Sequence, residues 1–217
     1  MRTLRTLAGA AGCAACLPLV ACQTTAVQTQ RPPIVQPGAP GQPTRVIDAS
    51  RAVDLSKVRF TTADVEFMQG MIGHHAQAIE MTDLLKTRTS RPEMRLLAER
   101  IDISQADEIR MMQAWLMARG QIAPDQYAHH HDTMVMPGML TLDQMQRLAT
   151  ASGADFDRLF LEGMIAHHGG ALTMVAALMT QPGAAQESEI FGFVSDVESD
   201  QQAEIGRMSA MLQEFRR

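Results

Sequence analysis

Two short stretches of the sequence set a thioether one helical turn ahead of a pair of imidazoles. Met71, His74 and His75 form one Met-x-x-His-His run, and Met164, His167 and His168 form the other. Di-iron helical bundles use a carboxylate at that spacing, Glu-x-x-His. Sulfur in place of carboxylate oxygen moves preference away from iron and manganese towards Cu(I) and other soft ions. Zinc ordinarily takes more nitrogen, thiolate or carboxylate donors than these runs supply. A third cluster places His129, His130, His131, Met134, Met136 and Met139 within 11 residues. Its Pro137-Gly138 pair interrupts helix and suits a turn that draws donors together. Such donors persist in oxidising surroundings, where thiols become disulfides. The competing readings are structural: a buried polar network for the paired runs, and for the cluster a loop whose methionines pack on the bundle end.

The paired runs lie inside a duplication. Residues 64–81 align without gaps with residues 157–174, at an offset of 93 and with nine identities in 18 positions. Asp64, Phe67, Gly70, Ile72, Ala78 and Met81 are among the repeated residues. A second block repeats at an offset of 96, where Gln105, Glu108, Ile109, Met112 and Leu116 match Gln201, Glu204, Ile205, Met208 and Leu212. The change of offset puts the length difference between two helices, so the repeated unit is a helical hairpin. A helical apolar stripe runs through each copy: Asp64, Phe67, Met71, His74, Ala78, Met81, Leu85 and the matching Asp157 to Leu178. The second helices carry Met94, Ala98, Ile101, Gln105, Glu108, Met112, Trp115 and Ile190, Val194, Val197, Gln201, Glu204, Met208, Met211.

Breakers fall where hairpin turns are needed, at Ser90-Arg91-Pro92 and Gln181-Pro182-Gly183. Thr61 with Asp64 and Ser152 with Asp155 suit helix starts. Four helices joined in pairs by short loops predict an all-α, up-down four-helix bundle made of two duplicated hairpins. The middle connection, Gly120 to Gly153, is long and His/Met-rich, with a short helix expected over Thr141–Thr150.

His74 and His167 sit on the buried stripe. Folding the first hairpin at residues 89–90 sets His74 opposite Gln105 and Met71 opposite Glu108; the second copy sets His167 and Met164 opposite Gln201 and Glu204. Polar groups left unpaired in an apolar interior are costly, so these must bond each other, water or a metal. Glu108 and Glu204 would orient the imidazoles from behind. Met94, Met111, Met117, Met145 and Met179 read as core filler, and Trp115 as a core cap whose N–H needs an acceptor. Gly70 and Gly163, inside helices, read as points of close helix approach.

The rest of the composition narrows the class. A chain of 217 residues with net charge −5 offers no basic stripe for nucleic acid. No nucleophile–base constellation or nucleotide fingerprint appears, and no organic cofactor is expected. All three cysteines fall within the first 22 residues, which excludes a disulfide framework or Cys-rich zinc site in the body. Residues 1–21 read as a signal peptide, with Arg2 and Arg5 ahead of an apolar stretch. The ending Leu19-Val20-Ala21-Cys22 resembles the lipobox of bacterial lipoproteins, which implies acylation of Cys22 and anchoring by its lipid. Gln23 after the cysteine implies sorting to the outer membrane, facing the periplasm. Residues 22–58, rich in Pro, Gln and Thr, read as a disordered tether, and residues 59–217 as the bundle domain.

The doubled Asp-x-x-Phe-x-x-Gly-Met-Ile-x-His-His-x-x-Ala-x-x-Met motif, the trailing Gln-x-x-Glu-Ile-x-x-Met and the Met-Pro-Gly-Met end of the central cluster resemble one bacterial family. It is the domain of unknown function numbered three-hundred-five. The resemblance implies a ferritin-like bundle in the cell envelope that binds Cu(I) or Ag(I). It implies as ligands Met71, His74, His75 and Met81, then Met164, His167, His168 and Met174. Leu161 and Thr173 stand where the first copy has Met68 and Glu80, so the two sites are expected to differ. The function implied is a non-enzymatic lipoprotein for copper sequestration, tolerance or transfer, with a copper-efflux or copper-chaperone partner, or a second copy of the chain, left open. A ferritin-like metal oxidase and a metal-free structural or partner-binding bundle are the alternatives.

Overall fold

A computed structural model of the chain describes residues 33–36, 43–48, 58–125 and 136–215. The signal segment, Cys22, most of the tether, and His129, His130, His131 and Met134 lie outside them. Within the tether stretch, β1 (Ile34–Gln36) pairs antiparallel with β2 (Arg45–Ile47), Ile34 opposite Ile47. Ile34, Val35 and Val46 are exposed, so this ladder rests on backbone pairing.

The helical unit contains α1 (Thr62–Arg88), α2 (Pro92–Ala118), the short α3 (Leu142–Thr150), α4 (Gly153–Met179) and α5 (Ser188–Glu214). Each of the four long helices has 27 residues. Their ends are set locally. Thr61 Oγ1 accepts from Asp64 N at 3.2 Å while Thr61 N donates to Asp64 Oδ2 at 2.7 Å, a complete capping box. Thr141 and Gln144 form the same box at α3. Ser152 caps α4 without a side-chain hydrogen bond, since Gly153 at φ +60° turns the chain there instead. Pro92 opens α2 where a missing N–H costs nothing.

Within each hairpin the helices are antiparallel neighbours, and α1 packs on α4 at the centre. Contacts along that seam run from Gly70 with Met174, through His74 with His167, to Met81 with Gly163, so α1 and α4 are antiparallel too. The order is therefore up, down, down, up. This is the ferritin-like variant of an up-down bundle, and it requires one long crossover in the middle. Two apolar clusters fill the interior. One gathers Phe67, Met68, Met71, Trp115, Val175 and Phe193; the other gathers Met81, Met94, Phe156, Phe160, Met164 and Met208. Where they meet on α1 and α4, His74, His75, His167 and His168 are buried.

The methionines expected as core filler divide. Met94 is buried and Met111 and Met145 pack partly, but Met117 and Met179 are 63% and 50% exposed. Both sit in the last turn of their helices. Among the described residues no helix is long and apolar enough to cross a membrane.

Candidate metal centre

The middle of α1 is surrounded. Residues 71 to 78 are all buried, because α2, α4 and the end of the crossover cover it from different sides. Adjacent residues on a helix point about 100° apart, so His74 and His75 are both interior yet meet different neighbours. His74 faces α4, its ring centroid 3.9 Å from that of His167, with the planes tilted by 37°. His75 faces α2, with Nε2 2.5 Å from Glu108 Oε2. The second copy repeats this, His168 Nε2 lying 2.6 Å from Glu204 Oε2 on α5. The expected levels, with Glu108 opposite Met71, are thus corrected. Each glutamate meets the second histidine of its run, because that residue is rotated onto the hairpin partner while the first turns to the other hairpin. The other oxygen of Glu108 accepts from Ser104 at 3.2 Å, and that of Glu204 lies 3.9 Å from Arg100.

Three of the four imidazoles are tied by Nε2 to an acceptor. His74 Nε2 lies 3.0 Å from Pro137 O, a carbonyl that can only accept, so this nitrogen donates and Nδ1 presents a lone pair. The carboxylates fix His75 and His168 in the same sense. The Nδ1 atoms of His74, His75 and His168, and both ring nitrogens of His167, are buried with no hydrogen-bonding partner among the described residues. Gln105 Oε1 and Gln201 Oε1 share that condition. Burial, and then the proximity of His75, pushes the His74 pKa down to about 3 against the Pro137 hydrogen bond. Burial and then His74 push His167 well below its ordinary value. Both are neutral imidazoles, the form that binds metal.

The end of the crossover lies across this seam. Met136-Pro137-Gly138-Met139 is a type II turn, closed by Met139 N to Met136 O at 3.1 Å, with Gly138 at φ +78°. Gln77 on α1 clamps the next residue from both sides, donating to Leu140 O at 2.9 Å and accepting from Leu140 N at 2.7 Å. On α4 the turn sits against Gly170, where a Cβ would lie 1.8 Å from Pro137 O. Gln77 and Gly170 are the same position of the repeat, 93 residues apart. Neither was singled out from the sequence. The mismatch was visible in the alignment, but its meaning depends on where the crossover comes to rest.

The thioethers are distributed unevenly. Met71, Met81 and Met164 are fully buried, while Met136, Met139 and Met174 are half-buried. Met81 and Met174 cross over: the methyl of Met81 approaches Gly163 in the second copy, and that of Met174 approaches Gly70 in the first. The two glycines therefore admit methionine side chains where close helix contact was expected. Met139 lines a cavity of about 350 Å³ with Leu140, Leu148, Leu159 and Gly163. On the opposite face Glu108 borders a groove between α2 and α5 with Asp107, Asp196 and Asp200. Partial burial, then Glu108 and Glu204, raise the Asp200 carboxyl above its usual value. Among the described residues no three His, Cys, Asp or Glu side chains converge on one point where a metal would bind. Methionine is thus needed to complete a donor set here. Trp115 Nε1 finds its acceptor in Glu187, at 3.2 Å.

The family described as a domain of unknown function, DUF305, matches residues 64–212. A DUF305 protein of Streptomyces coelicolor, of known crystal structure, is 29% identical over 70% of this chain and 93% of its own, with a TM-score of 0.62. CopM in its Cu(I)-bound form is 30% identical over 72% of this chain and 99% of its own, with a TM-score of 0.56. CopM structures with Cu(II) and with Ag are similar to the chain as well. A curated protein of Acanthamoeba polyphaga mimivirus, L153, is 41% identical over 56 residues, and that match spans 37% of its length.

Proposed function

The chain belongs to the DUF305 family, and on that premise we propose that it binds Cu(I), and Ag(I) in its place, through methionine and histidine donors. The carrying observation is the set of buried imidazole nitrogens. His74, His75 and His168 each point Nε2 at a carbonyl or carboxylate and leave Nδ1 without a partner among the described residues. That is the arrangement in which an outer acceptor fixes the tautomer of a metal-binding histidine. A purely structural network would satisfy both nitrogens, since each polar atom buried without a partner costs about 1–3 kcal/mol. The fully buried Met71 and Met164 stand one turn before the imidazoles and would add soft donors. CopM, similar over nearly its whole length, has been crystallised with Cu(I), with Cu(II) and with Ag. The acidic groove between α2 and α5 would raise the local cation concentration.

The role is sequestration or transfer without catalysis. Oxidase chemistry in this fold relies on clustered carboxylates, and here Glu108 and Glu204 each meet one histidine, 2.5 and 2.6 Å away on separate helices. The protein acts outside the cytoplasm as a lipoprotein held by Cys22, in keeping with a Streptomyces relative described as secreted. The testing experiment is a Cu(I) titration of the reduced protein against a competing chelator. Tight binding that His74→Leu/His167→Leu abolishes supports the proposal. Binding no tighter than that variant's overturns it.

A further inference from the structure

We propose that Gln77 and Gly170 are positioning residues for a separate, solvent-accessible thioether site, where Met136 of the crossover turn and Met174 of α4 converge beside Gly70 to hold one soft monovalent cation. This rests on the soft-metal reading above and adds that the two halves of the duplication bind unequally.

The inequality comes from a two-fold repeat crossed by a single strand of chain. Gly70 and Gly163 are equivalent, and so are Met81 and Met174. Beside Gly163, a Cβ would meet Leu140 Cδ2 at 3.2 Å and Met81 Cε at 3.3 Å. Beside Gly70, it would meet Met136 Sδ at 3.5 Å and Met174 Cε at 3.6 Å. The crossover therefore brings a sulfur to one half and a hydrocarbon to the other. Burial follows the same division, since Met81 is sealed while Met136 and Met174 keep part of their surface open to solvent. The place a Cβ would take at Gly70 is met by the sulfur of Met136 and the terminal methyl of Met174, so the two thioether ends come to one point. Two neutral thioethers suit Cu(I) or Ag(I) and attract hard cations weakly.

The turn reaches this place only because the repeat differs at one position. Glutamine at 77 gives a two-sided clamp to Leu140. Glycine at 170 removes the atom that would collide with Pro137 O. Exchanging the two residues would give a bare surface where the clamp is needed and a side chain where the turn must sit.

The test uses Ag(I) and the full chain with Cys13, Cys16 and Cys22 replaced by serine, so that no thiol competes, and with methionine methyls labelled with carbon-13. The first equivalent of Ag(I) is expected to shift the Met136 and Met174 methyl resonances ahead of those of Met71, Met81 and Met164. Gln77→Leu and Gly170→Ala, which remove no donor, are expected to abolish the Met136 shift and weaken the first equivalent about tenfold. Combining Gln77→Leu with Met136→Leu should weaken it no further than Met136→Leu alone, a coupling that mere destabilisation would not produce. Leu140→Met should bring the Met81 methyl into the first shifts. If Gly170→Ala fails to fold, Gln77→Leu, which adds no bulk under the turn, decides the matter. First shifts confined to Met71 and Met164, or turn variants within about twofold of the parent affinity, would overturn the inference and leave the histidine site standing. A parent chain that takes up no Ag(I) would overturn the soft-metal reading itself.

Discussion

His74 and His167 meet across the α1–α4 seam with ring centroids 3.9 Å apart and planes tilted by 37°, and His74 Nε2 donates to the carbonyl of Pro137, a partner His167 does not share. Equivalent residues of a duplicated motif thus have unequal surroundings, because one turn of the crossover lies over the axis that relates them. The pair also concentrates a cost at the centre of the bundle. Two imidazoles are buried in close contact, and three of their four ring nitrogens have no hydrogen-bonding partner among the described residues.

Acid should expose that cost. Burial holds the His74 pKa near 3 and His167 well below 6.5, whereas both return to about 6.5 in the unfolded chain. Between those values the unfolded chain binds more protons. Stability is therefore complete above pH 6.5 and declines as pH falls towards 3, by at most about 1.4 kcal/mol per pH unit for each histidine. Melting temperatures of the metal-free protein should be level from pH 8 to pH 7 and drop below pH 6. A level profile down to pH 4 would show that the two rings are not buried neutral.

Replacing His167 by leucine should separate stability from binding. Leucine fills a similar volume without two unsatisfied nitrogens, so urea unfolding of the metal-free variant should be harder by about 1–3 kcal/mol. The rise in melting temperature that Cu(I) gives the parent should shrink in the same variant. A destabilised apo variant would mean that the imidazole has a structural partner in solution.

Much of this was legible in the sequence, and the remainder was hidden for definable reasons. The offset change from 93 to 96 put the length difference between the paired helices, and the Thr61–Asp64 and Ser152–Asp155 pairs fixed two helix starts to the residue, the first with a full capping box and the second without a side-chain cap. The sequence set Glu108 opposite Met71, one turn away from the His75 it meets, because α1 is buried on every side around residues 71–78. A period of 3.6 identifies the middle of an apolar face, but on a central helix it does not say which neighbour each interior residue meets. The Pro137-Gly138 turn was legible, but its seat was hidden for another reason. Its seat depends on Gln77 and Gly170, which lie 93 residues apart and read as an ordinary mismatch in a repeat until both are seen under one strand of chain.

The carboxylates behind the imidazoles should matter for affinity more than for folding. Glu108→Gln keeps an oxygen that can accept from His75 Nε2, yet it removes the charge that strengthens Nδ1 as a donor. Loss of about tenfold in Cu(I) affinity is expected, with little change in the far-ultraviolet dichroism of the helices. Glu204→Gln should behave alike through His168. Unchanged affinity in both would remove His75 and His168 from the donor set.

The repeated aspartate that opens each motif should be unequal as well, and here the consequence is for stability. Asp64 is fully buried. Its Oδ2 accepts from Thr61 N at 2.7 Å and Thr61 Oγ1 at 2.9 Å, and its Oδ1 accepts from Ala185 N at 2.7 Å. Ala185 belongs to the α4–α5 turn and is held at φ +53°, a conformation an alanine adopts at some cost. One side chain therefore caps α1 and ties it to the far hairpin. Removing it loses the reciprocal half of the capping box, a hydrogen bond worth about 0.5–1.5 kcal/mol, and leaves a buried N–H unsatisfied for about 1–3 kcal/mol more. Asp157 is equally buried, but it meets Arg91 Nε at 3.4 Å and its Oδ1 has no partner among the described residues, while the serine before its helix makes no side-chain cap. Asp64→Ala should thus destabilise by about 2–4 kcal/mol, and Asp157→Ala by clearly less. Urea denaturation of the two variants measures the difference. Equal losses would mean that the Asp64–Ala185 hydrogen bond does not hold the hairpins together in solution.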